Sequence, residues 1–413
     1  MFLSNPSVTP ESRPRGGIPR LRPGSMPLLS YGFRPFFLGA GVWACIAMLL
    51  WIGLLSGHCR FATGYGAVAW HSHELLFGYV SAVLTGFLLT AIPNWTGRLP
   101  LQGSPLLGLV LLWLAGRVAM LMTDQIGSAA AAIIDGAYLF VLSGAVLREI
   151  ITGKNWRNLK VVALTGSIAV ANVIFHLEVI RSGAPDYGVR AAIAGIVTLI
   201  VLVGGRVIPS FTHNWLARRG DPNRPAPLGR LDFVAIGVTL LALVLWMIAP
   251  AWQGSGVALA AAAIMQAVRL SRWAGLRSAS EPIVLILHLG YVFVPLGALA
   301  LTVSIIWPEF LPPTGALHAW TSGAIGTMTL AIMTRAIRGH TGHDISSPPT
   351  TSLIYAAILL AALARAVAPL VPEFTAGLLY IAAAGWFTSF AIFVAVYGPM
   401  LVKRRRDSRE YGC

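Results

Sequence analysis

The chain has 413 residues, 56% of them hydrophobic and 11% charged, with a net charge of +15 and a mean hydropathy of +0.73. A soluble domain carries about a quarter charged residues, so this composition excludes an ordinary water-soluble fold. Lipid gives backbone polar groups no partners, so spanning segments are helices or closed barrels, and the unbroken apolar runs exclude a barrel's alternating strands.

Residues 1–27 are rich in Pro, Arg and Ser without an apolar core, which predicts a disordered cytoplasmic lead-in and not a cleaved signal peptide. About twelve apolar runs of bilayer-crossing length follow. The first covers about residues 35–56. The second, about 70–93, opens on Trp70-His71-Ser72-His73-Glu74. The third and fourth, about 104–122 and 128–147, carry Arg117 and Asp135, an expected ion pair. The fifth, about 161–181, has His176 and Glu178 in its last turns. The sixth, about 191–210, bears Arg206 near its end and is followed by His213. The seventh and eighth cover about 231–250 and 254–270, and the ninth, about 283–306, holds His288 early. The tenth, about 314–337, opens on His318 and carries Arg335, with His340 and His343 after its end. The eleventh, about 351–370, contains Arg365; the twelfth, about 375–401, runs into a basic tail over 403–413.

Threading these runs alternately through a bilayer gathers most of the 30 Lys and Arg at one face. Basic loops stay in the cytoplasm, so the expected topology has both termini inside, in the inner membrane of a bacterium. The positive charge is then a topology signal with the lipid bilayer as partner, and nucleic acid is excluded. The expected fold is all-α, one polytopic membrane domain over 28–402. Spans two, six and ten end on Ala91-Ile92-Pro93, Val207-Ile208-Pro209 and Ala336-Ile337-Arg338. Placing these in register aligns Arg206 with Arg335, Gly78 with Gly323 and His73 with His318. This predicts three parallel four-helix repeats of about 28–155, 156–275 and 276–402. Cys45, Cys59 and Cys413 show no metal or disulfide spacing.

Ionisable side chains at membrane depth cost at least a few kcal/mol near a helix centre, so they face partners or cavities. Depth sorts the histidines into an outer group, His71, His73, His176 and His318, and an inner group, His213, His288, His340 and His343. Imidazoles projecting inward from several helices are suited to a metal, which the outer group is expected to hold. At about 100° per residue, His71 and His73 point roughly 200° apart and cannot share one ion on a regular helix. His73 is the preferred ligand because the repeat pairs it with His318. Glu74 and Glu178 are candidates for a proton relay. Arg206 and Arg335, close in depth to His340, either hold an anionic group such as haem propionates or extend to the headgroups. No phosphate-binding loop, nucleophile elbow or covalent haem-attachment motif is present.

The runs Gly32-Phe33-Arg34-Pro35-Phe36-Phe37, Trp70-His71-Ser72-His73-Glu74, Asn94-Trp95-Thr96-Gly97 and Leu114-Ala115-Gly116-Arg117 resemble segments of the NnrS family. So do Gly205-Arg206-Val207-Ile208-Pro209, His288-Leu289-Gly290-Tyr291, Gly323-Ala324-Ile325-Gly326 and Gly339-His340-Thr341-Gly342. The resemblance implies a b-type haem, a copper ion and a role in nitric oxide metabolism or nitrosative-stress resistance. It points to His71, His73, His176, His288, His318 and His340 without dividing them between haem and copper. The function it implies is binding of nitric oxide, with a nitric oxide reductase activity as one form and membrane quinol as an electron donor. A small-anion transporter and a haem-based sensor or metal-handling protein are the competing readings.

Overall fold

The structure, a computed structural model, describes residues 26–62 and 64–406. The expected disorder of the N-terminal segment and the end of the basic tail lie outside the described residues. The chain is all-α. Among the described residues, eleven helices have the length and apolarity to cross a bilayer: α1 (Phe33–Leu55), α2 (Ala67–Thr96), α3 (Ser104–Leu121), α4 (Ser128–Thr152), α5 (Trp156–Ser182) and α6 (Tyr187–Arg218), then α7 (Arg230–Ile248), α8 (Gln253–Ser271) and α9 (Pro282–Ile306), and finally α11 (Pro349–Leu370) and α12 (Pro372–Val402). Between α9 and α11 a further helix, α10, runs over 313–341. The protein is therefore a polytopic membrane protein, since helices of this length and hydropathy have no other solvent that suits them.

The count of about twelve resolves into eleven apolar spans and α10, whose sequence is more polar. Its Thr327 and Thr334 are fully buried, and Thr329 is partly so. The Thr334 and Thr329 hydroxyls donate to the carbonyls of Leu330 and Ile325 at 2.8 and 2.7 Å, so the polar side chains are satisfied on their own helix. Two helices outrun their apolar runs. α6 continues to Arg218 and α10 to Thr341, so His213 and His340, expected beyond the spans, both lie on helix. Helix needs apolar residues only inside the bilayer, so hydropathy underestimates an element that extends into water.

Three π-helical segments stand among the described residues: Glu74–Tyr79 in α2, Ile200–Gly204 in α6 and Ala319–Gly326 in α10. A π-turn inserts an extra residue, turns the side chains beyond it and frees backbone carbonyls. Two of these carbonyls find donors on other helices. Trp113 Nε1 donates to Gly78 O at 2.9 Å, and Arg269 Nη1 to Val201 O at 3.0 Å. The three π-bearing helices touch one another in the middle of the bundle. Around them α4 packs on α5, α8 on α9 and α12 on α1, which brings the two ends of the membrane region together. Buried Arg34 ties that junction, donating to Leu401 O and Lys403 O at 2.7 Å each.

Candidate metal centre

α2 enters the bundle from a turn that its sequence dictates. Gly66, at φ +74°, supplies a left-handed residue that other side chains rarely adopt, and α2 begins at the next position. The preceding residue, Tyr65, is thereby placed over the start of the helix bundle, 2% exposed. Seven residues into α2 comes His73, and the π-turn begins at Glu74. Both are fully buried.

Three more helices bring polar side chains to this point: Arg117 from α3, Asp135 from α4, and Asn172 with His176 from α5. All are buried. Asp135 Oδ2 lies 3.0 Å from His73 Nε2, 3.1 Å from His176 Nε2 and 2.7 Å from Asn172 Nδ2. Asn172 Oδ1 is 3.2 Å from His73 Nε2. One ligand atom each from His73, Asp135 and His176 falls within 4.8 Å of the others. Donor atoms each about 2 Å from one ion are themselves roughly 3 Å apart, so this spacing suits a metal.

The outward-facing nitrogens are fixed as well. His73 Nδ1 donates to Glu74 Oε1 at 2.9 Å, and His176 Nδ1 shares a hydrogen bond of 2.6 Å with the Tyr65 hydroxyl. A histidine whose second nitrogen is held by a carboxylate or phenol has its ring plane and tautomer set for ligation by the first. Arg117 completes the group, donating to Glu74 Oε2 at 2.5 Å and to Asp135 Oδ1. With neutral imidazoles, the two carboxylates and one guanidinium leave a single negative charge. Buried charge is costly unless compensated, so the cluster calls for one further positive charge, carried by a metal ion or a proton.

The other expected residues are distributed differently. His71, one face away on α2, stacks on Trp51 with ring centroids 4.3 Å apart and has a buried Nδ1 without a partner among the described residues. It lies within electrostatic reach of His318 and Arg365. His318 donates from Nδ1 to Thr314 O at 2.5 Å, which leaves its Nε2 for another partner. Thus His73 meets His176, while His318 neighbours His71. Glu178 is not in the cluster. Its two carboxylate oxygens accept the amides of Asp186, Tyr187 and Gly188 at 2.8–2.9 Å, closing the start of α6. The inner residues stand apart from one another in their contacts. Buried His288 bonds Thr212 through Nε2 at 2.8 Å, and its Nδ1 has no partner among the described residues. His340 packs between Tyr31 and Phe33, Arg335 lies 3.8 Å over the Phe211 ring, and Arg206 is exposed.

The sequence points to His71, His73, His176 and His318 as ligands, of which only His73 and His176 meet here, and to Asp135 as the partner of Arg117; it does not mark Asp135, Asn172 and Tyr65 as members of the site. Asn172 had a signal: it lies four residues before His176, on the same face of an apolar helix. Tyr65 had none, because its position depends on the fold of a loop. The family model described as NnrS protein matches residues 27–405 of the chain. No curated protein matches it.

Proposed function

The chain belongs to the NnrS family, and from that membership and the buried cluster we propose a copper- and haem-binding membrane protein that binds nitric oxide in nitrosative-stress resistance. The observation that carries the copper assignment is the convergence of His73 Nε2, His176 Nε2 and Asp135 Oδ2, with both distal imidazole nitrogens already held. Imidazole suits copper, and one carboxylate beside Arg117 keeps the total charge low. A monovalent ion would leave the cluster neutral.

In this reading His73 and His176 bind the ion, Asp135 is the third ligand and Asn172 Oδ1 lies beside it. Glu74 and Tyr65 orient the two rings, and Arg117 holds both carboxylates in place. Burial excludes bulk water. Of the two candidate relay carboxylates, Glu74 is in contact with His73, and Glu178 serves the start of α6 instead. The haem is assigned to His288 and His340, with Arg335 for its propionates; the buried Nδ1 of His288 has no hydrogen-bond partner among the described residues. When bound, haem iron supplies a coordination site for nitric oxide and copper supplies one-electron exchange. Turnover to nitrous oxide would draw electrons from a donor such as membrane quinol.

Paramagnetic resonance of the oxidised, copper-loaded protein is expected to show nitrogen coupling from two imidazoles. The same spectrum from a His176→Asn variant would refute the ligand set. A shift of the haem absorption band on adding nitric oxide tests the haem assignment separately, and headspace analysis for nitrous oxide distinguishes a reductase from a protein that only binds the gas. A second reading has its own observation: His73 sets one nitrogen against Glu74 and the other against Asp135, so a doubly protonated ring would supply the missing charge without a metal. Full retention of function after copper removal would favour it.

We also propose that α1–α4, α5–α8 and α9–α12 are three related units. The π-turns of α2, α6 and α10 and the matching α4–α5, α8–α9 and α12–α1 junctions support this reading.

A further inference from the structure

α5 begins at the face of the bundle where the basic loops gather, and its first turns carry Arg157 and Lys160. Both are exposed, and Lys160 lies within electrostatic reach of Arg157 and of Arg206 on the neighbouring α6. Among the described residues none of the three makes an ion pair or hydrogen bond. Some arginines at this face have acidic partners: Arg98 pairs with Glu149 at 2.7 Å, Arg269 with Asp232 at 2.9 Å and Arg277 with Asp221 at 3.3 Å. Arg157 and Arg206 thus add positive charge around Lys160 from two helices with no acidic partner among the described residues, a repulsion that a bound anion would offset.

The surroundings say what kind of anion. Trp156 and Leu159, on the same turns as the cations, are 60% and 42% exposed. Exposed aromatic and apolar side chains at a helix end belong at the headgroup level of a bilayer. The first turn of α5 also has no side-chain cap, so the positive end of its helix dipole lies at the same place. Arg206 lies on α6 twelve residues before that helix ends at Arg218, about 18 Å along its axis, which puts it near the membrane surface while the last turns project beyond.

We propose that Arg157, Lys160 and Arg206 bind the phosphate of an anionic phospholipid, whose headgroup sits between the first turns of α5 and the middle of α6, beside Trp156 and Leu159. Each cation near an anionic headgroup contributes about a fivefold preference. The full chain in nanodiscs of equal parts phosphatidylglycerol and phosphatidylcholine, released into native mass spectrometry, is expected to retain phosphatidylglycerol selectively. Lys160→Gln with Arg206→Gln is expected to lower that preference by more than tenfold, and Arg277→Gln, which removes a paired cation, to leave it unchanged. Equal retention of the two lipids by the wild-type chain overturns the proposal, as does undiminished selectivity in the double variant. Thermal stabilisation by inorganic phosphate as large as that by phosphatidylglycerol also overturns it, because the site would then take a free anion and not a lipid.

Discussion

Arg117 holds two carboxylates from different helices in a space without water, and this governs what substitution there does. Arg117→Gln leaves Glu74 and Asp135 facing each other uncompensated, and breaking a buried pair costs about 3–5 kcal/mol. Thermal unfolding in detergent is expected to show that loss. Arg98→Gln, removing a cation that is 38% exposed, is expected to stay within about 1 kcal/mol. Tyr65→Phe deletes only the hydroxyl that fixes His176. It is expected to weaken metal affinity about 10–100-fold with the fold intact, measured by competition with a chelator of known affinity. The histidines were legible because an imidazole in an apolar run has few structural uses. Their division was legible only in part: the angle between His71 and His73 shows that they separate, but which distant histidine each one meets depends on packing between helices.

At the scale of the element, the close approach of α5 and α6 positions half of the centre. A Cβ on Gly188 would come within 2.5 Å of the backbone nitrogen of Phe175, the residue before His176. Gly188→Ala therefore pushes the two helices apart and displaces His176. The expected result is loss of metal with retained membrane insertion, read by metal content and by insertion into vesicles. Retained metal at wild-type affinity would show that this contact does not set the site. The helices themselves were legible from apolar runs and their charge pattern. The π-turns were not, since no residue type announces an inserted residue, and they are stabilised by distant donors such as Trp113 and Arg269. The polar character of α10 has the same origin: a helix in the middle of a bundle meets other helices and has less need of apolar side chains than one facing lipid.

For the whole molecule, the asymmetry of Lys and Arg predicts that both chain ends lie in the cytoplasm. Reporter fusions active only in the cytoplasm are expected to work at either terminus, and activity of a periplasm-specific reporter at one end would break the even number of crossings. That topology puts the His73 cluster at the periplasmic side and the cations of α5 and α6 at the cytoplasmic side. The chain's membrane character follows from composition, whereas its chemistry depends on one point where four helices meet. Elemental analysis of the purified full chain tests that point most directly. About one copper per chain is predicted for the wild type, with loss on replacing His73 or His176 by Ala and retention on replacing exposed His213 by Ala. Copper bound equally by all of these variants, or absent from a wild-type chain that still binds nitric oxide, would contradict the account.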